Sequence, residues 1–227
     1  MDFEDLKKNW NGLAKNNALW AIKTEKKEWG FEEFFKTGII DIDNLINNLN
    51  TLKINISNNK ALDFGCGVGR LTQGLSNYFE CVYGVDISKT MINKANEFNI
   101  NEFNNKCIFL LNESETLALF DDDEFDLVYS NITLQHMDPK YSKSYVEEFL
   151  RITKPDGVIV FNIASEARGI NKFKFNFVRK IFTPFLKLYY GEIMENYIVK
   201  ENEIMEIVET HGGIVINIIK NEYNYYI

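Results

Sequence analysis

Apolar positions along this chain recur with two different periods, and the change of period divides it. From Asp41 to Leu52, the residues Ile42, Leu45, Ile46, Leu49 and Leu52 fall at helical spacing. Residues 1–57 as a whole read as helical, with Trp10, Trp20 and Trp29 among them. Short apolar runs then alternate with helical stretches. Strands are expected at Lys60–Phe64, Cys81–Val85, Cys107–Leu111, Phe125–Ser130, Val158–Ile163, Ile214–Ile219 and Tyr223–Ile227. Helices are expected at Arg70–Phe79, Ser88–Glu97, Ser142–Thr153 and Glu201–His211, the second with Ser88 as its N-cap. Lys154-Pro155-Asp156-Gly157 carries turn chemistry.

This alternation with short connections predicts an α/β fold, a mainly parallel sheet of seven strands with helices on both faces. No helix separates the last two strands, so one of them runs antiparallel. Residues 1–57 form an N-terminal helical cap on this reading. Residues 58–227 form the main domain, with a cap insertion at about 167–198. Ligands of such sheets lie at the carboxyl ends of the strands, at the switch point.

Composition narrows the class. The 227 residues are 45% hydrophobic and 26% charged, which excludes wholesale disorder. With 25 Lys plus Arg against 33 Asp plus Glu, the net charge is −8. That balance argues against a general nucleic-acid binder, whose affinity comes from neutralising phosphates. Cys66, Cys81 and Cys107 are odd in number and unclustered, and the two His add no ligand spacing, so neither a disulfide framework nor a metal site is expected. The acidic start, Met1-Asp2-Phe3-Glu4-Asp5, has no signal-peptide pattern and no run of 18 apolar residues occurs. A cytoplasmic protein is the expectation. The segment 168–190 stands against the acidic background, with six Lys or Arg, no acid, and Phe173, Phe177, Ile181, Phe185 and Tyr189 every four residues. A packed helical cap, a lid over an anionic or aromatic substrate, and a membrane-surface helix are its three open roles.

The strongest chemical signal is Ala61-Leu62-Asp63-Phe64-Gly65-Cys66-Gly67-Val68-Gly69-Arg70, three alternating glycines between an expected strand and an expected helix. Without Cβ atoms they permit a tight turn and let a ligand lie against the backbone. Asp86 closes the next strand, where a carboxylate can accept both hydroxyls of a ribose. The spacing is G-x-G-x-G, with Arg70 where a dinucleotide fold wants its third glycine, so NAD is disfavoured.

Over roughly residues 60–165 the chain resembles the class I S-adenosylmethionine-dependent methyltransferases. Leu62–Arg70 is similar to the family's first motif, and Gly84-Val85-Asp86-Ile87-Ser88 with Met91 to its second. Phe125-Asp126-Leu127-Val128 followed by Ser130-Asn131 and Leu134-Gln135-His136 is similar to the fourth-strand motif, and Leu150–Gly157 to the entry to the fifth strand. The pattern around Leu19–Ile22 and Phe34–Gly38 resembles a bacterial subgroup acting on small molecules. The resemblance implies a Rossmann-like fold and S-adenosyl-L-methionine as cofactor. Asp63, Gly65, Cys66, Gly67 and Gly69 would frame the methionyl end and Asp86 the ribose, while Ile87 and Met91 pack on the adenine. Glu113 and Ser114 stand where the adenine edge is read, with one residue inserted before Phe120, and Asn131 lies where methyl meets acceptor.

Methyl transfer mainly requires alignment, and a hydroxyl acceptor also benefits from a base. His136 is the leading candidate for that base, and bonding a neighbouring loop is its competing role; Asp138 and Tyr129 are weaker candidates. His211, before Gly212-Gly213, is expected to cap a helix, and Trp20 is a candidate to close over the methyl donor. No Pro-Cys pair and no Asn/Asp-Pro-Pro-aromatic motif follows the fourth strand, which speaks against base methylation of nucleic acid. The reading is transfer of a methyl group to an O or N atom of a small molecule. A non-catalytic module binding S-adenosylmethionine or S-adenosylhomocysteine is the alternative, and a nicotinamide-dependent oxidoreductase a more distant one.

Overall fold

The computed structural model describes residues 1–99, 105–164 and 194–220, and the backbone of 224–226. The basic aromatic segment 168–190, and with it most of the expected insertion, lies outside the described residues. The order of elements is α1 (Phe3–Ile22), α2 (Phe31–Thr51), β1 (Lys60–Phe64), α3 (Arg70–Leu75), β2 (Cys81–Asp86), α4 (Lys89–Phe98), β3 (Cys107–Leu111), β4 (Phe125–Ser130), a 3-10 turn (Leu134–His136), α5 (Pro139–Ile152), β5 (Thr153–Ile163), α6 (Glu201–Thr210), β6 (Ile218–Lys220) and β7 (Asn224–Tyr226). Strand order is β3-β2-β1-β4-β5-β7-β6. The first five strands run parallel, and β7 is antiparallel to both β5 and β6. The chain therefore has an α/β Rossmann-like fold whose switch point lies between β1 and β4.

Side chains alternate across each strand and sort the core into two faces. Leu62, Phe64, Val128 and Phe161 pack with Tyr145, Val146 and Phe149 of α5 and Ile204 and Val208 of α6. Ala61, Leu127, Tyr129 and Val160 pack with Ile42, Leu45 and Leu49 of α2 and Leu71 and Leu75 of α3. Local chemistry sets the helix ends. Ser88 caps α4 by accepting from the Met91 amide, as expected. Asp138 caps α5 with Pro139 at the first turn, so that helix starts three residues before the expected Ser142. His211 ends α6, with its Nδ1 hydrogen-bonded to the Ile207 carbonyl at 2.8 Å.

Two expectations are corrected. Lys154–Gly157 does not end an element but bulges within β5: Phe125 pairs with Thr153 and Leu127 with Val158, and Asp156 rather than Gly157 takes the left-handed conformation (φ 65°). Of the expected strand Ile214–Ile219, only Ile218 and Ile219 enter the sheet. Ile214 is 83% exposed.

Candidate active site

The loop after β1 is tied back to β2: the amides of Gly65 and Cys66 both donate to the Val85 carbonyl, at 2.8 and 3.0 Å. The Gly67 amide donates to Asp86 Oδ2 at 2.9 Å, and the Ser88 amide donates to Asp86 Oδ1 at 2.7 Å. Gly67 has φ 56°, and a Cβ there would sit 2.5 Å from Ile22 Cδ1, so a side chain would fill the cradle. Each Asp86 oxygen holds one backbone donor and keeps a second lone pair, which suits the two hydroxyls of a ribose. The chain's own residues thus fit a nucleoside at this place.

Gly65, Cys66, Gly67, Asp86, Ile87, Met91, Asn131 and His136 line one cavity of about 980 Å³, a figure that includes its opening to solvent. Four other sequence candidates lie elsewhere. Asp63 shares the α3-facing side of β1 with Ala61, is 1% exposed, and accepts from the Thr72 hydroxyl at 2.6 Å. Gly69 faces the Phe109 ring. Glu113 is exposed and ion-pairs with Lys7, and Ser114 is exposed with its carbonyl taken by the Tyr145 hydroxyl. Their neighbour Asn112 does line the cavity, its Nδ2 donating to the Ser114 and Thr116 carbonyls. Among the weaker base candidates, Asp138 is spent as a helix cap and Tyr129 packs on the opposite face of the sheet.

His136 is 8% exposed, and its Nδ1 lies 2.8 Å from the Glu195 carbonyl. A carbonyl only accepts, so Nδ1 carries the proton and Nε2 keeps the lone pair. Burial pushes its pKa below the ordinary 6.5, against the pull of that hydrogen bond, and the ring is neutral at pH 7. Trp10 stands edge-on to it at 5.4 Å.

Sequence reasoning missed the contribution of α1. Phe3, Leu6, Trp10, Ala21 and Ile22 all line the cavity; Trp20 does not. Two devices aim the helix. Asn11 Oδ1 accepts from the Ser88 hydroxyl and from the Thr90 amide and hydroxyl, fastening α1 to the start of α4. At Asn17 the helix breaks (φ −161°, ψ 95°), and that side chain accepts from the Trp20 amide to restart it. The signal was available in the stripe Phe3, Leu6, Trp10 at helical spacing, which needs a partner surface. Also missed was Ile132, which lines the cavity with φ 56°, a costly conformation for a β-branched residue, about 1–2 kcal/mol.

Burial pushes both Asp63 and Asp86 up to about 6 from the ordinary 3.8. A carboxyl whose pKa is higher folded than unfolded favours the folded state below about pH 4, and that gain is lost as pH rises through about 6. Asp63→Asn keeps an acceptor for Thr72 and removes a buried charge. It is expected to raise stability at pH 7.5 by up to roughly 3 kcal/mol and to flatten the profile between pH 4 and 6. Thermal melts across that range check this, and a slope equal to wild type would move the effect to other groups.

A mainly parallel sheet with a glycine-rich turn after β1 and the β2 carboxylate on the same cavity is a Rossmann-like α/β arrangement. Residues 62–161 match the family described as "Methyltransferase domain". The chain is 33% identical over 105 residues to a malonyl-[acyl-carrier protein] O-methyltransferase of Buchnera aphidicola, covering 46% of this chain and 39% of that protein. It is 28% identical over 130 residues to a phosphoethanolamine N-methyltransferase of Plasmodium falciparum, covering 57% and 47%. The chain thus spans less than half the length of these relatives. Magnesium protoporphyrin IX methyltransferase from Synechocystis, solved with bound S-adenosylhomocysteine, superposes with a TM-score of 0.67 at 17% identity, covering 99% of this chain and 98% of that one. No described helix is long and apolar enough to cross a membrane.

Proposed function

We propose that the protein is an S-adenosylmethionine-dependent methyltransferase acting on an oxygen or nitrogen of a small-molecule acceptor. The observation that carries this reading is one cavity lined both by the glycine loop with Asp86 and by a neutral His136 beside Trp10. Gly65, Cys66 and Gly67 would face the methionyl part of the cofactor, Asp86 would hold the ribose, and Ile87 and Met91 would pack on the adenine, with Asn112 at its edge. When bound, the cofactor supplies a methyl group on a sulfonium, a leaving group that needs no acid.

The remaining work falls to this chain: exclude water, hold the acceptor in line, and take a proton where the acceptor has one to lose. Phe3, Leu6 and Trp10 supply apolar cover. Residues 1–57 on this reading are a cap that completes the site, and the domain from 58 onward closes with an antiparallel strand. His136 would take the proton on Nε2, while Nδ1 keeps its own proton and donates it in a hydrogen bond to the Glu195 carbonyl. The acidic balance favours a small acceptor over nucleic acid. The relatives' names carry O- and N-acceptors alike, so the domain itself sets no acceptor atom.

Calorimetric titration with S-adenosylmethionine, S-adenosylhomocysteine and NAD tests the proposal. Binding of the first two without the third is expected, followed by labelled methyl transfer in an acceptor screen; binding of NAD alone overturns it. With an acceptor in hand, His136→Ala is expected to lower kcat by about 10²-fold. The ascending limb of the wild-type pH profile should lie below pH 6.5, the side to which burial moves this imidazole. Undiminished kcat at saturating acceptor would remove the base role.

A further inference from the structure

Asn162 of β5 was not among the candidate residues, and its side chain is wholly buried behind the loop that follows β4. The Ile132 amide donates to Asn162 Oδ1 at 2.7 Å. Asn162 Nδ2 donates to Asn131 Oδ1 at 3.0 Å. Because a backbone amide can only donate, the first bond fixes which end of the Asn162 amide is oxygen. The second then fixes Asn131, whose Oδ1 is occupied and whose Nδ2 has no hydrogen-bond partner among the described residues. One backbone N–H thereby sets the polarity of two side chains, the second of them on the cavity wall.

The same bond holds Ile132 in its left-handed conformation, in which the backbone returns towards the glycine loop. The next residue, Thr133, packs so closely on Gly65 that a Cβ there would sit 2.3 Å from its side chain. The Thr133 carbonyl also accepts from the His136 amide at 3.0 Å. A loop relaxed at Ile132 would disturb the glycine turn on one side and the histidine on the other.

We propose that Asn162 is a positioning residue: its carboxamide holds Ile132 left-handed and turns Asn131 so that an Nδ2 donor faces the ligand cavity. This rests on the reading of the cavity as the S-adenosylmethionine site. Binding of S-adenosylhomocysteine to wild type tests that reading, and only the variants test Asn162.

The test is a double-mutant cycle read by calorimetry with S-adenosylhomocysteine, with melts to establish that each variant is folded. Asn162→Ala in the Ile132 background is expected to weaken binding about tenfold or more. Placed on Ile132→Gly, whose glycine takes a positive φ without strain, the same change is expected to cost several-fold less than in the Ile132 background, the remainder being the lost hold on Asn131. Asn162→Asp keeps an acceptor for the Ile132 amide but loses the donor to Asn131 Oδ1, and is expected to bind between wild type and the alanine variant. If Asn162→Ala melts below the assay temperature, Asn162→Leu, nearer in volume, replaces it. No loss in the Ile132 background, an equal loss in both backgrounds, or a loss in Asn162→Asp equal to that in alanine overturns the proposal.

Discussion

Asp86→Ala is expected to weaken S-adenosylhomocysteine binding by about 10²–10⁴-fold, from two charge-assisted hydrogen bonds of about 1.5–3 kcal/mol each. The half-buried carboxylate already holds the Gly67 and Ser88 amides. Its removal therefore takes away the two ribose bonds proposed here and also leaves two backbone donors of the cradle unpaired. Asp86→Asn separates the effects: it keeps a carbonyl for one donor but presents an NH₂ where an acceptor is needed, and is expected to bind nearly as poorly while melting closer to wild type. Calorimetry and melts on both variants check this. Affinity within threefold of wild type in a folded Asp86→Ala would remove Asp86 from the site. Acidification should weaken binding in wild type as well, because the carboxyl, pushed up to about 6 by burial, loses charge on the way to pH 5.

Gly38→Ala is expected to destabilise the protein by about 3 kcal/mol or more, lowering Tm by roughly 6–12 °C for a chain of this size. By helix propensity alone the change should stabilise, since glycine inside a helix costs about 1 kcal/mol against alanine. The packing of α2 on α3 reverses the sign. A Cβ on Gly38 would sit 2.1 Å from the backbone carbonyl oxygen of Arg70, and one on Gly74 would sit 2.8 Å from the carbonyl oxygen of Gly38. Neither obstacle is the flexible end of a side chain, so the helices would have to separate. Separation would also strain the buried Arg70 guanidinium, which donates to Thr37 Oγ1 at 3.1 Å and to Asp41 Oδ2 at 2.5 Å. Thermal unfolding decides the matter, and a Tm at or above wild type would mean that α2 and α3 tolerate wider spacing.

Much of this molecule was legible in the chain because its signals are local. Cys107–Leu111 and Phe125–Ser130 are strands at their expected bounds, since a short apolar run between polar turns can be buried in few other ways. The Ser88 cap was equally readable, as an N-cap needs only its own side chain and an amide three residues on. Gly65, Gly67 and Asp86 meet at the cavity because strand, turn and helix follow in sequence and the sheet pairs β1 with β2.

Failures occurred where the deciding contact came from far along the chain or depended on which way a strand residue points. Asp63 sits beside Phe64 in the motif, yet the pleat turns it to α3 and away from the cavity. Glu113 and Ser114 lie off the cavity wall, on which Asn112 stands instead. Trp10 rather than Trp20 reached the cavity because Asn11 fastens α1 to α4 across some 80 residues of chain.

By itself, then, the sequence determined the alternating α/β plan, the glycine turn, the carboxylate at the end of β2 and the methyltransferase kinship, all carried by periodicity and by residues close in the chain. Tertiary structure alone decided that α1 walls the cavity, that His136 is buried with its proton held on Nδ1, that Gly38 admits no side chain, and that Asn162 governs the loop after β4. Each of these depends on atoms brought together from distant positions, where a hydrogen bond or a steric limit acts over a few ångströms and leaves no period in the sequence.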